Sequence, residues 1–224
     1  MSVAENLKTI QDNIHSACQK TSRNVEEVSI IAVTKYVTLE RTKEAVEAGI
    51  VHLGENREEG LMKKWDEIKD GAQWHFIGTL QSRKVKSIID KVSYIHSLDR
   101  ISLAKEIHKR AKYPIYCFVQ VNVSGEESKH GLPPEDVINF IHELQKYSNI
   151  VVKGLMTMAP FIEEEEQLRM YFRTLKELQE NVKDLKLSYA PCDELSMGMS
   201  NDYRIAVEEG ATFVRIGTAL VGEE

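Results

Sequence analysis

The sequence predicts an α/β protein: a single TIM-type (β/α)8 barrel with an extra N-terminal helix, one domain over residues 1–224. Three observations predict it. Apolar runs of strand length alternate with helical patterns about eight times along the chain. Several of these runs are apolar at successive positions, as strands covered by helices on both faces must be. No Pro/Gly-rich linker divides the series. An open doubly wound sheet is the rival arrangement for the same alternation.

Each element has its own signal. From Val3 to about Lys20, Leu7, Ile10, Ile14 and Ala17 recur at helical spacing, which predicts an amphipathic first helix. Ser29 to Lys35 reads as a strand that ends abruptly in a cation. Thr38 is a candidate N-cap for the next helix, Glu40 suits its positive end, and Gly49 offers the stop. Ile50 to Gly54 is a short strand, and Glu55-Asn56-Arg57 opens a helix carrying Leu61, Trp65 and Ile68. Gln73 to Gly78 is the third strand, followed by a helix with Val85, Ile88 and Ile89 inward. Ser93 to Ser97 is the fourth, and Asp99 is a candidate cap for a helix that Pro114 keeps from continuing.

Ile115 to Val123 is the longest strand candidate, and its loop, Ser124 to Gly131, is polar and flexible, as loops over a site often are. Pro133-Pro134 introduces a helix with Val137, Phe140, Ile141 and Leu144. Ile150 to Met156 is the sixth strand, and Glu163 to Val182 a long helix whose four leading glutamates suit its N-terminus. Glu194 to Met197 and Thr212 to Ile216 complete the strands, with a helix bearing Ile205 and Val207 between them.

Composition narrows the function. With 42% hydrophobic and 29% charged residues the chain is ordinary for a globular protein. A net charge of -6 argues against a general nucleic-acid surface, because phosphate-backbone binding needs clustered cations. The densest basic group, Arg83, Lys84, Lys86 and Lys91, reads as a solvated helix face. Cys18, Cys117 and Cys192 are odd in number and lack metal-ligand spacing, so neither a disulfide framework nor a metal site is implied. The N-terminus lacks a signal pattern and no apolar run reaches transmembrane length, which predicts a cytoplasmic protein with no membrane partner. A P-loop, a dinucleotide glycine fingerprint and an HExxH pair are all missing.

If the barrel is right, the segments after the strands converge on one mouth. Lys35, at the end of the first strand, is placed to form a Schiff base with an aldehyde cofactor once desolvation or a nearby cation lowers its pKa. A solvated strand-end lysine is the plainer reading. The segments after strands seven and eight, Met197 to Asp202 and Ile216 to Ala219, have the small residue, the hydroxyl and the helix start of an anion cradle. Gly198 and Gly217 also fit ordinary turns, and Ser200 an ordinary N-cap. Arg215 is flanked by Val214 and Ile216, so its guanidinium must face the mouth or pair with an acid. His75 fits either a polar mouth or a satisfied core position. Met156, Met158, Met197 and Met199 fit either the flank of a planar ligand or packing.

Along nearly its whole length the chain resembles the pyridoxal phosphate homeostasis protein family, single barrels related to the N-terminal domain of alanine racemase. The resemblance rests on Ala32-Val33-Thr34-Lys35, Gly54-Glu55-Asn56-Arg57, Trp74 to Gln81, Gly154-Leu155-Met156, Leu195 to Ser200 and Val214 to Ala219, in that order. It implies that Lys35 carries pyridoxal 5'-phosphate as a Schiff base, that Ser200, Gly217 and Thr218 hold the phosphate, and that Arg215 faces the pyridine nitrogen. Asn56 and Met156 are implied near the ring. Asn201 and Arg83 depart from residues common in relatives, aspartate and asparagine, at the rim.

A guanidinium beside the pyridine nitrogen leaves the ring a poorer electron sink than a carboxylate does. Alanine-racemase-like enzymes share this arginine but add a C-terminal β domain and a tyrosine base from a partner subunit. The last barrel motif lies a few residues before Glu224, which leaves no room for that domain. The expectation is therefore a monomeric, non-catalytic carrier or buffer of pyridoxal phosphate that serves apo-enzymes. Two alternatives are a stand-alone racemase-like enzyme using Tyr36 or His75 as base, and a barrel enzyme in which Lys35 handles a sugar phosphate aldehyde.

Overall fold

The computed structural model describes residues 2–126, 128–162 and 164–222. Eight parallel strands close into a barrel in sequence order: β1 (Ser29–Val33), β2 (His52–Glu55), β3 (Gln73–Phe76), β4 (Tyr94–Leu98), β5 (Ile115–Gln120), β6 (Ile150–Met156), β7 (Glu194–Met199) and β8 (Phe213–Ile216). β1 closes the ring by pairing with β8, where Ile31 registers with Arg215. The helices between strands are α2 (Leu39–Glu47), α3 (Glu58–Ile68), α4 (Val85–Ile88), α5 (Ile101–Arg110), α6 (Val137–Leu144), α7 (Glu165–Asp184) and α8 (Tyr203–Glu208). The extra N-terminal helix is α1 (Val3–Lys20), and a single turn, α9 (Thr218–Val221), follows β8.

Local chemistry accounts for the ends. α1 begins at a reciprocal capping box between Ser2 and Glu5. It docks through Asn6, which donates to the Leu220 carbonyl (2.9 Å), and Asn13, which donates to the Tyr203 hydroxyl (2.9 Å). The Thr38 hydroxyl caps α2 as expected. Gly49, at φ +102°, ends it in the left-handed region, with Ile50 N–H donating to the Ala45 carbonyl and Gly49 N–H to Val46. That paired ending takes Ile50 out of the strand predicted for it, and β2 starts at His52 and runs on through Glu55.

Other expectations shift for similar reasons. Asp99 does not cap α5: β4 extends to Leu98, Arg100 takes the cap position, and the Asp99 carboxylate accepts from Arg100 Nη1 at 2.6 Å. β5 stops at Gln120 because Val121 bridges to Leu132 in the loop. α7 begins at Glu165 and runs to Asp184; Glu163 lies outside the described residues, as do Glu127 of the β5 loop, Met1 and the last two residues.

The main core lies between the barrel and its helices. It buries Leu53, Trp74, Ile95, Leu155 and Val214 against helix residues such as Leu61, Leu103 and Phe172. The barrel interior is different. Ile31, Phe118, Met156 and Phe213 form a small apolar cluster there, and polar side chains fill the space beside it. Cys18, Cys117 and Cys192 are free, buried thiols, and burial pushes the Cys192 thiol up to about 12. Among the described residues no three His, Cys, Asp or Glu side chains gather as metal ligands.

Candidate functional site

A cavity of about 480 Å³ opens at the carboxyl ends of the strands, the end where barrel loops converge. Lys35, Asn56, Ser200, Arg215, Gly217 and Thr218 all line it. Met156 does not: it is 1% exposed and packs inside the barrel against Ile31 and Phe118, below the cavity floor. Met158 and Met199 line the wall instead, so the packing reading holds for Met156 and Met197.

Arg215 forms part of the floor. Its position on β8 points it into the barrel, where it is 4% exposed. Nη1 donates to Ser196 Oγ at 2.6 Å and Nη2 to the Thr157 carbonyl at 2.8 Å. No carboxylate stands within ion-pair distance among the described residues, and burial lowers its pKa to about 10. A buried, donor-only group with remaining N–H capacity toward the cavity is set to meet an acceptor there.

Lys35 follows β1 by two residues. It is exposed, with its ammonium 4.7 Å from the centre of the Tyr36 ring, so the desolvation expected from the sequence is not present here. The residue before it is anchored from below. The Thr34 hydroxyl donates to Glu55 Oε1 (2.6 Å), and Lys64 Nζ donates to the same oxygen (2.8 Å) and to the Thr34 carbonyl. Lys64 and Glu55 are 5% and 1% exposed, a fully buried ion pair from α3 and β2. The sequence reading missed this clamp, because Glu55 was placed at a helix start and not at a strand end.

Ser200 does not cap α8; Asp202 occupies the cap position of that helix. The Ser200 hydroxyl instead accepts from the backbone N–H groups of Gly217 (3.3 Å) and Ala219 (3.4 Å), drawing the two segments after β7 and β8 together. Gly198, at φ +91°, lies in the last part of β7, where the register against β8 shifts, and a Cβ there would fall 2.5 Å from the Ala206 methyl. Gly78 allows another close approach: a Cβ would lie 2.4 Å from the Asn56 carbonyl, whose residue lines the opposite wall. Asp202 is the one carboxylate among the lining residues, and burial raises its pKa against the opposing N–H of Met199 and the charge of Arg215.

Neither proposed base lies over the cavity. Tyr36 is exposed and outside the lining. His75 is fully buried in the barrel and bonded through both ring nitrogens, to His52 (2.9 Å) and His96 (2.8 Å). The core reading of His75 is therefore the one the structure supports. Its partners went unnoticed because nothing in local sequence tells that His52, His75 and His96, on three strands, share one interior.

The lining is a set for an anionic small molecule. An amine, a guanidinium, a hydroxyl and the Gly217–Thr218 backbone border one space, with a single carboxylate among the lining residues. The serine and backbone N–H groups suit a phosphate, the guanidinium a ring acceptor, and the amine a carbonyl carbon. These residues fit pyridoxal phosphate, the cofactor that the sequence motifs implied.

Comparison with known proteins agrees. Residues 6–224 match the family model described as alanine racemase, N-terminal domain. The pyridoxal phosphate homeostasis protein of Aquifex aeolicus (strain VF5) is 42% identical, covering 100% of this chain and 99% of that protein. The structure of PipY from Synechococcus elongatus PCC7942 without PLP is 30% identical, covers 98% of this chain and 100% of that one, and superposes with a TM-score of 0.87. The structure of the same protein with PLP bound gives 29% identity over 98% of this chain and 100% of that one, with a TM-score of 0.85.

Proposed function

The chain belongs to the pyridoxal phosphate homeostasis protein family, within the alanine racemase N-terminal domain group, and from that premise we propose that it holds pyridoxal 5'-phosphate as a Schiff base on Lys35. Its role in this reading is cofactor homeostasis without amino-acid turnover. The observation that carries it is the convergence of Lys35, Arg215 and the Ser200–Gly217 segment pair on one cavity.

When bound, the cofactor supplies an aldehyde, with which the Lys35 amine condenses to an imine and releases one water. Ser200, Gly217 and Thr218 receive the phosphate, which would take the place of the Ser200 hydroxyl as acceptor for the Gly217 N–H. Arg215 donates to the ring nitrogen and keeps a proton off it, which weakens the ring as an electron sink. Asn56 borders the ring, and Met156 supports the floor from beneath. Racemisation needs a positioned acid or base on each face; Lys35 serves one, and neither Tyr36 nor His75 lines the cavity to serve the other. The same reading makes the protein a cytoplasmic monomer that buffers the cofactor and passes it to apo-enzymes.

The test is to reduce the protein loaded with pyridoxal phosphate using borohydride, map the modified residue, and incubate unreduced protein with single-enantiomer amino acids in deuterated water. Label on Lys35 and no Lys35-dependent inversion are the expected results. Label on another lysine with Lys35 untouched would refute the site; inversion at roughly 1 per second or faster would refute the carrier reading.

A further inference from the structure

The barrel interior holds one continuous chain of polar side chains that the cofactor site does not by itself require. Arg215 Nη1 lies 2.6 Å from Ser196 Oγ, Ser196 Oγ lies 2.9 Å from His96 Nδ1, His96 Nε2 lies 2.8 Å from His75 Nδ1, and His75 Nε2 lies 2.9 Å from His52 Nδ1. It starts under the cavity and ends at the first residue of β2, at the opposite, amino end of the barrel. Ser196, His96 and His75 are buried, and His52 is partly exposed.

The donor directions along this chain follow from Arg215 alone. A guanidinium has no acceptor, so Ser196 Oγ must accept from it, and among the described residues His96 Nδ1 is the one acceptor within reach of the buried hydroxyl proton. His96 Nδ1 then carries no proton, which makes His96 neutral with its proton on Nε2. That N–H donates to His75 Nδ1, so His75 also carries its proton on Nε2, and it donates in turn to His52 Nδ1. Reversing a single link between the histidines would set two protons or two lone pairs against each other, and reversing all three histidine links together would leave the buried Ser196 hydroxyl proton without an acceptor among the described residues. Aromatic packing holds the rings in register: Tyr94 stacks on His75 at 4.3 Å, Phe118 on His96 at 4.3 Å, and Phe213 meets His52 edge-on at 5.3 Å. Burial and the Arg215 charge both keep His96 uncharged, and burial with the neighbouring imidazoles does the same for His75.

We propose that Ser196, His96, His75 and His52 are positioning residues for Arg215: a one-directional hydrogen-bond relay through the barrel that locks its guanidinium as a donor toward the cavity. The link to a ring nitrogen rests on the function proposed above; the relay itself does not. Ser196 absorbs one arm of the guanidinium and the Thr157 carbonyl another, so the remaining N–H groups are aimed by groups that cannot rotate independently.

Two measurements test this. The first uses ligand-free protein labelled with nitrogen-15, whose imidazole tautomers are read by long-range proton–nitrogen correlation, with His52→Gln, His75→Gln and His96→Gln for assignment. All three relay histidines are expected neutral with the proton on Nε2. In Ser196→Ala the fixed pattern should loosen at His96 and at His75, which Ser196 does not touch, and Ser196→Thr should restore it. A proton on Nδ1 of His75 or His96, or a cationic form of either at neutral pH, overturns the relay. The second compares pyridoxal phosphate with its 1-deaza analogue, which lacks the ring nitrogen. Ser196→Ala is expected to weaken the first roughly ten-fold, the size of one charge-assisted hydrogen bond, and to leave the second unchanged; equal weakening of both refutes a positioning role. If neither compound binds wild-type protein, the cofactor reading falls while the tautomers still decide the relay.

Discussion

Acidification should weaken this fold through the two buried histidines of the barrel. His75 and His96 are held neutral by burial; His75 faces His52, His96 and the Tyr94 ring, and His96 faces His75, Ser196, Phe118 and the Arg215 charge. Their folded pKa values lie well below the ordinary histidine value. The unfolded chain therefore binds more protons than the folded one, so stability is retained at neutral pH and lost as pH falls below about 6.5. At about pH 5.5, each imidazole kept neutral costs roughly 1.4 kcal/mol, and the pair roughly 2.8 kcal/mol. For a chain of this length that corresponds to a fall in Tm of roughly 6 to 11 °C. The assay is urea unfolding of ligand-free protein at about pH 8 and pH 5.5, followed by the fluorescence of Trp65 and buried Trp74. His75→Gln/His96→Gln is measured alongside. The variant will start less stable, but its loss between the two pH values should be smaller than that of wild type by about 2.8 kcal/mol. Equal losses in the two proteins would refute the reasoning, because other titrating groups are common to both.

Two further outcomes follow from the site and its support. Ser200→Ala should weaken pyridoxal phosphate by roughly ten-fold or more, one charge-assisted hydrogen bond, while pyridoxal lacking the phosphate is unaffected; equal weakening of both in a titration would mean that Ser200 acts through the fold. Glu55→Gln leaves the Lys64 ammonium buried without its counter-charge and should cost on the order of 3 to 5 kcal/mol in chemical denaturation, with Glu55→Gln/Lys64→Met recovering much of it. A single-variant loss below about 1 kcal/mol would show that water reaches the pair.

The barrel was legible in the sequence because its evidence is local and repeated. Apolar strand runs, helical stripes, the Thr38 cap and the Gly49 stop each follow from neighbours within a few residues, and β6 coincides with the strand predicted for Ile150 to Met156. That Lys35, Ser200 and Arg215 border one mouth was legible as well, since barrel topology carries every strand's end there. Tertiary structure decided what depends on which side chains meet. Met156 turns into the interior cluster while Met158, of the same strand parity, lies beyond the end of β6 and reaches the cavity. Ser200 became a bridge to Gly217 and not a helix cap, because the segment after β8 passes within hydrogen-bond distance. Glu55 found Thr34 when β1 paired with β2 and Lys64 when α3 folded back against β2, and His75 found His52 and His96 when β2, β3 and β4 came together around one interior. Residues far apart in the chain carry no local pattern that announces such a meeting; it is set by the register of each strand against the next, which burial of the whole core selects.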